Sequence, residues 1–131
     1  MAAVAIGFVA IAGLIAGALL AATTEEPTAE TVVKSYLGAL SRRDCSGAVS
    51  KLSEAAQAQI DLVYSDVNEM CKRLEESRRI PRSFKVISAT ADGSGQATEV
   101  IVEVSYADST VTETYLVLEE EGDLKVQPPW A

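Results

Sequence analysis

The sequence predicts an α+β fold: one N-terminal transmembrane helix, then three helices packed on a curved antiparallel four-stranded sheet. Three observations carry that expectation. Met1 to Thr24 contains no charged side chain. From Pro27 to the arginines near position 79, apolar residues recur at helical spacing. From Phe84 onward they alternate with a period of two, interrupted by Gly- and Asp-containing turns. The chain has 131 residues, so one small domain remains once the apolar run is set aside.

Residues 1–24 read as a membrane anchor. Ala2 to Ala22 is wholly apolar, and as a helix it would span roughly 31 Å, the thickness of a bilayer's hydrocarbon core. A cleaved signal peptide is the competing reading. It is disfavoured because no Lys or Arg precedes the apolar core, and because the small-x-small site at Ala16-Gly17-Ala18 lies inside the run. Gly13 and Gly17 form a GxxxG, and Gly7, Ala10, Gly17 and Ala21 fall close to one helical stripe. Small stripes let membrane helices approach closely, so this face is expected to pack on an integral membrane protein partner. The acidic flank Glu25-Glu26 and the cysteines discussed below place the remainder, 25–131, on the extracytoplasmic side of a cell membrane, behind a single span.

The first soluble helix is expected from Pro27 to Ser41, with Val32, Val33, Tyr36, Leu37 and Leu40 on one face. Ser41-Arg42-Arg43-Asp44 breaks it, and Asp44 suits the N-cap of a short second helix carrying Ala48, Val49 and Leu52. Ser53 then caps a third helix with a long stripe from Ile60 through Tyr64, Val67 and Met70 to Leu74. Lys72, Arg73, Arg78, Arg79, Arg82 and Lys85 cluster at its end. They are expected to complement the helix dipole in solvent, while Arg73, Arg78, Arg79 and Arg82 form a candidate contact patch for anionic lipid or an acidic partner. Pro81 stops the helix.

Four strands follow: Ser83–Ala91, Gln96–Ala107, Thr110–Glu121 and Leu124–Val126, with turns at Asp92–Gly95, Asp108-Ser109 and Gly122-Asp123. Val100, Val102, Val104 and Tyr106 share one face of the second strand; Tyr115 and Val117 share one face of the third. Pro128 and Pro129 end the last strand. Short connections make an antiparallel meander, and the helices must cover one face of it.

Composition excludes more chemistry than it suggests. The net charge of −8 lies wholly after Thr24, and an acidic domain is repelled by phosphate backbones, which argues against nucleic acid. There is no His, which removes the commonest general base and metal ligand. Cys45 and Cys71 are too few for a thiolate zinc site and are not spaced as a redox motif. Downstream of a membrane segment they are expected to form a disulfide in an oxidising compartment; the competing reading is two buried free thiols in a cytosolic domain. Neither GxSxG nor a phosphate-binding glycine loop occurs. The run Glu119-Glu120-Glu121 with Asp123 reads as a solvated strand end, so no metal and no cofactor is expected.

Pro27-Thr28-Ala29-Glu30, Val32-Val33, Tyr36-Leu37 and Ala39-Leu40, then Asp44, Ala48 and Leu52-Ser53, and the closing Gly122-Asp123-Leu124-Lys125-Val126 together resemble the cone-shaped nuclear transport factor two-like superfamily. The resemblance runs from Pro27 to Trp130. It implies three helices closing a curved sheet into a cone, and a layout similar to small actinobacterial-type members held outside the membrane by one helix or a lipoprotein signal. Membrane proteins associated with lipid-import complexes share that layout. The superfamily includes isomerases, ligand-binding domains and scaffolds, so the fold does not select among them. Some of its isomerases use an Asp base and a Tyr donor inside the cone. Asp61, Asp66, Tyr64, Tyr106 and Tyr115 are the available residues of those types, and their spacing brings no such pair together. The expectation is a non-enzymatic accessory or scaffolding subunit anchored to a membrane complex. The alternative is a module binding a lipid or small apolar ligand in the cone interior, and an isomerase-type enzyme ranks third.

Overall fold

The computed structural model describes residues 28–91, 93 and 96–131. The segment 1–24, with Gly7, Ala10, Gly13, Gly17 and Ala21, lies outside the described residues. Among the described residues no helix is long and apolar enough to cross a membrane. The described chain is α+β: α1 (Ala29–Ser41), α2 (Cys45–Val49), α3 (Glu54–Val63) and α4 (Val67–Glu76), then β1 (Ser83–Ala91), β2 (Ala97–Ser105), β3 (Thr110–Glu120) and β4 (Asp123–Gln127). The four strands form one antiparallel sheet in sequential order.

Each helix starts on a side chain that satisfies its otherwise orphaned N–H groups. Thr28 and Thr31 make a reciprocal capping box on α1, so the helix begins at Ala29 rather than at the expected Pro27. Asp44 accepts from the Gly47 N–H, and Ser53 accepts from the Ala56 N–H. A Cβ at Gly47 would collide with the Asp44 carboxylate, so the glycine is what lets this cap approach. α1 and α4 end alike, in Schellman turns built on arginines rather than glycine. Arg43 and Arg78 both sit at φ 61°. Arg43 N–H donates to Leu40 and Asp44 N–H to Ala39; Arg78 N–H donates to Glu75 and Arg79 N–H to Leu74.

The expected long third helix is two helices. Tyr64 is extended (φ −121°, ψ 150°), and Asp66 starts α4 by accepting from the Glu69 N–H. Glu69 reaches back to the Ser65 N–H at 2.6 Å and its hydroxyl at 3.0 Å. These bonds, the Ser65 backbone N–H above all, hold the Glu69 carboxyl below the usual range. The apolar stripe continues through the break because both helices face the same interior, which is why periodicity alone did not detect it. Cys71 therefore lies on α4, and it is disulfide-bonded to Cys45 with Cα atoms 5.8 Å apart. The bridge ties the start of α2 to α4. In the chain-entropy model, closing the 26-residue separation stabilises the fold by about 3.5 kcal/mol. Arg43 Nε donates to Glu75 at 2.8 Å across the same junction.

In the sheet, Val100, Val102 and Val104 of β2 are fully buried. In β1 the register slips between Val86 and Ser88. That bulge leaves Ile87 exposed and adds local twist and bend to the strand. The second strand ends at Ser105, short of the expected Ala107, because Tyr106 N–H turns back to the Ser109 carbonyl at 2.7 Å. The last hairpin turns on Glu121-Gly122, one residue earlier than expected. Both are at positive φ, as a two-residue type I′ loop demands. The edge of β4 is covered by the α2–α3 connection: Ser53 N–H donates to Val126, and Val126 N–H to Lys51, each at 2.8 Å. Leu52, 1% exposed, thereby joins the core with Val33, Leu37 and Val126.

Candidate functional site

β3 alternates Val111, Glu113, Tyr115 and Val117 on the face that packs inward, opposite Val104, Val102, Val100 and Thr98 of β2. Three of the four are apolar or aromatic. Glu113 is not, and it stands directly across from fully buried Val102. A carboxylate on that face needs partners. Two tyrosines supply them: Tyr115 donates to Oε1 at 2.5 Å and Tyr106 donates to Oε2 at 2.6 Å.

The rest of the site grows from this trio. Tyr36 of α1 meets Tyr115 edge to face, with ring centroids 6.1 Å apart at 61°. The Arg79 guanidinium lies over the Tyr106 ring, 5.0 Å from its centroid, within the range of a cation–π contact. Tyr106 thus has its hydroxyl on an anion and its ring beneath a cation. Burial raises the pKa of Tyr36, Tyr106 and Tyr115 well above the ordinary tyrosine value, and the Glu113 charge reinforces the effect on all three. All three therefore stay protonated through the neutral range; Tyr106 and Tyr115 donate to Glu113, while the Tyr36 hydroxyl accepts from the Trp130 indole N–H, which partly offsets its shift.

These residues line a cavity of about 810 Å³. Leu37 and Leu40 of α1, Ile60 and Val63 of α3, and Met70 and Leu74 of α4 give it apolar walls. The C-terminal Pro129 and Trp130 close another side. Val63 is 54% exposed and Trp130 48% exposed, so they stand at the mouth. All four tyrosines and the single tryptophan of the chain line this one space. Its size lies within the range of small-molecule sites, about 300–1,000 Å³, and so does its pattern of apolar walls with few polar groups.

Among the residues singled out from the sequence, Tyr64, Tyr106, Tyr115 and Arg79 come together here. Asp61 is exposed on α3, and Asp66 is spent on the α4 cap; neither lines the cavity. The basic cluster is dispersed in role. Arg73 pairs with Glu69 at 3.7 Å, Arg78 forms the turn after α4, Arg79 faces the cavity, and the Arg82 N–H donates to Ser105 where β1 begins. Glu120 accepts from the Glu54 N–H at the start of α3. Among the described residues no group of acidic or sulfur side chains is placed to hold a metal. Glu113 was missed by the sequence reading. The signal was present: it lies two residues before Tyr115, so both must share a strand face.

Compared with models of protein families, with curated proteins and with solved structures, the chain matches none. Function rests on the site itself.

Proposed function

We propose that the domain is a ligand-binding module of the nuclear transport factor two-like type, taking a small amphipathic molecule into the cone interior. One observation carries this reading: an interior of about 810 Å³ is left unfilled where a scaffold could pack it with side chains. Apolar side chains from α1, α3 and α4 would take the body of the ligand. The Glu113–Tyr106–Tyr115 set would take its polar end, since each carboxylate oxygen keeps an acceptor site beyond its tyrosine bond. The residues 1–24 would hold this module at a membrane on the extracytoplasmic side, beside an integral membrane protein; that part of the proposal rests on their composition alone. The disulfide supports an oxidising compartment.

The test uses N-phenylnaphthylamine, a neutral fluorophore that brightens in apolar surroundings. It should bind saturably with one site per chain. Val63→Trp, a change at the half-exposed mouth, should fill the space and weaken binding at least about tenfold while the melting temperature holds. Absence of saturable binding to the unmodified chain would sink the reading.

A further inference from the structure

The cavity holds two opposite charges that do not neutralise each other. Among the described residues Glu113 has no cationic partner: both its oxygens are taken by tyrosine hydroxyls. Arg79 likewise has no carboxylate partner among the described residues and lies on the Tyr106 ring instead. Tyr106 separates them, with one charge at its hydroxyl and the other over its face. Where opposite charges can meet they usually do so, because pairing offsets part of the desolvation cost. Here a tyrosine holds them apart at the wall of an open, mostly apolar cavity. Glu113 is the half-buried inner charge and Arg79 the exposed outer one.

The aromatic side chains sharpen this. Tyr106 and Tyr115 hold Glu113, Tyr36 packs on Tyr115, and Trp130, hydrogen-bonded to Tyr36, carries the aromatic lining out to the mouth. Aromatic faces beside a carboxylate favour an organic ammonium over a metal ion or a neutral head, because a weakly hydrated cation gains from ring faces and carboxylate together. Arg79 matches the complementary group, a phosphate or carboxylate, which a guanidinium binds in bidentate fashion. Building on the ligand-binding reading above, we infer that the cavity recognises a zwitterionic amphiphile: its ammonium lies at Glu113 among the tyrosine and tryptophan rings, its anionic group meets Arg79, and its chain runs along the apolar wall made by α3 and α4. The acidic charge of the domain would also help draw the cationic end inward.

The experiment is displacement of bound N-phenylnaphthylamine by single-chain amphiphiles of equal chain length: an alkylphosphocholine, an alkyltrimethylammonium, an alkyl phosphate and the alkyl alcohol. The phosphocholine should displace the fluorophore at concentrations about tenfold lower than either singly charged compound, and lower still than the alcohol. Affinity ratios are compared within each variant, so a variant's own fluorophore affinity is its reference. In Glu113→Gln the phosphocholine should lose its advantage over the alkyl phosphate. In Arg79→Gln it should lose its advantage over the trimethylammonium compound. Arg79 is exposed and makes no ion pair among the described residues, so the second variant reports even if the first fails to fold. Free phosphocholine, without a chain, should displace only weakly. Equal displacement by the alcohol and the phosphocholine, or unchanged ratios in Arg79→Gln, would overturn the zwitterion while leaving the cavity reading intact. A chain that binds no fluorophore would remove both.

Discussion

The two ends of this α+β domain are built on the same sheet and differ in what they leave open. At one end, Leu52 and Ser53 pair with Val126 at the sheet edge, and Val33 and Val100 close the interior with almost no exposed surface. At the other, α3 contributes only Ala56 and Ile60 to the core, Leu62 and Val63 face solvent, and the inward face of β3 carries a carboxylate and a tyrosine instead of aliphatic side chains. The closed end holds the fold by burial, at roughly 1.5–3 kcal/mol for each large apolar side chain. The open end forgoes part of that burial and gains a lined space. The contrast separates stability from function: substitutions at the closed end should move the melting transition, and those at the open end should move ligand selection.

The largest expected effect tests that division directly. Leu52→Ala should cost about 3 kcal/mol in urea unfolding, since a fully buried leucine is replaced and its cavity cannot collapse against a paired sheet edge. Val63→Ala, at the mouth, should stay within about 0.5 kcal/mol. Equal costs would mean that α3 is part of the core rather than a wall.

A second expectation concerns alkaline pH. The raised values of Tyr36, Tyr106 and Tyr115 mean that the folded state binds their protons more tightly than the unfolded chain does. The stability they contribute is full below the unfolded tyrosine value of about 10, and it declines as pH rises beyond it. Their ionisation, followed by ultraviolet absorbance, should therefore coincide with loss of tertiary circular dichroism. Glu113→Gln removes one of the charges that oppose ionisation and should move it to lower pH. An unmoved titration would separate Glu113 from the tyrosines.

The smallest effect lies outside both ends. Arg78 occupies a left-handed position that glycine adopts without a Cβ clash, so Arg78→Gly should stabilise by about 0.5–1 kcal/mol with no change in amphiphile ratios. A shift in those ratios would show that the turn after α4 positions Arg79.

Most of the fold was legible along the chain because local rules dictate it. Asp44 and Ser53 announce their helices, the β2 valines alternate, and the glycine at 122 marks the last turn. The break at Tyr64–Asp66 was also written locally, as Asp66 followed three residues later by Glu69, yet an apolar stripe running through both helices masked it. Edge assignments slipped by one or two residues where a single hydrogen bond, Tyr106 to Ser109, decided the end of a strand.

The site shows what a linear pattern cannot carry. Period two places Glu113 and Tyr115 on one face of β3, and the residue types alone distinguish an inward carboxylate from a solvated one only when a neighbour is known. Tyr106 and Tyr115 are joined through Glu113 by hairpin geometry, Tyr36 arrives from α1, and Arg79 arrives from the turn after α4. Sequence by itself determined the apolar first segment, the helices and strands, and the two cysteines available for one bridge, because these follow from neighbouring residues. Only tertiary structure decided that the interior stays open and that two opposite charges face it without an ion-pair partner among the described residues, because open space and charge separation depend on residues brought together from distant parts of the chain.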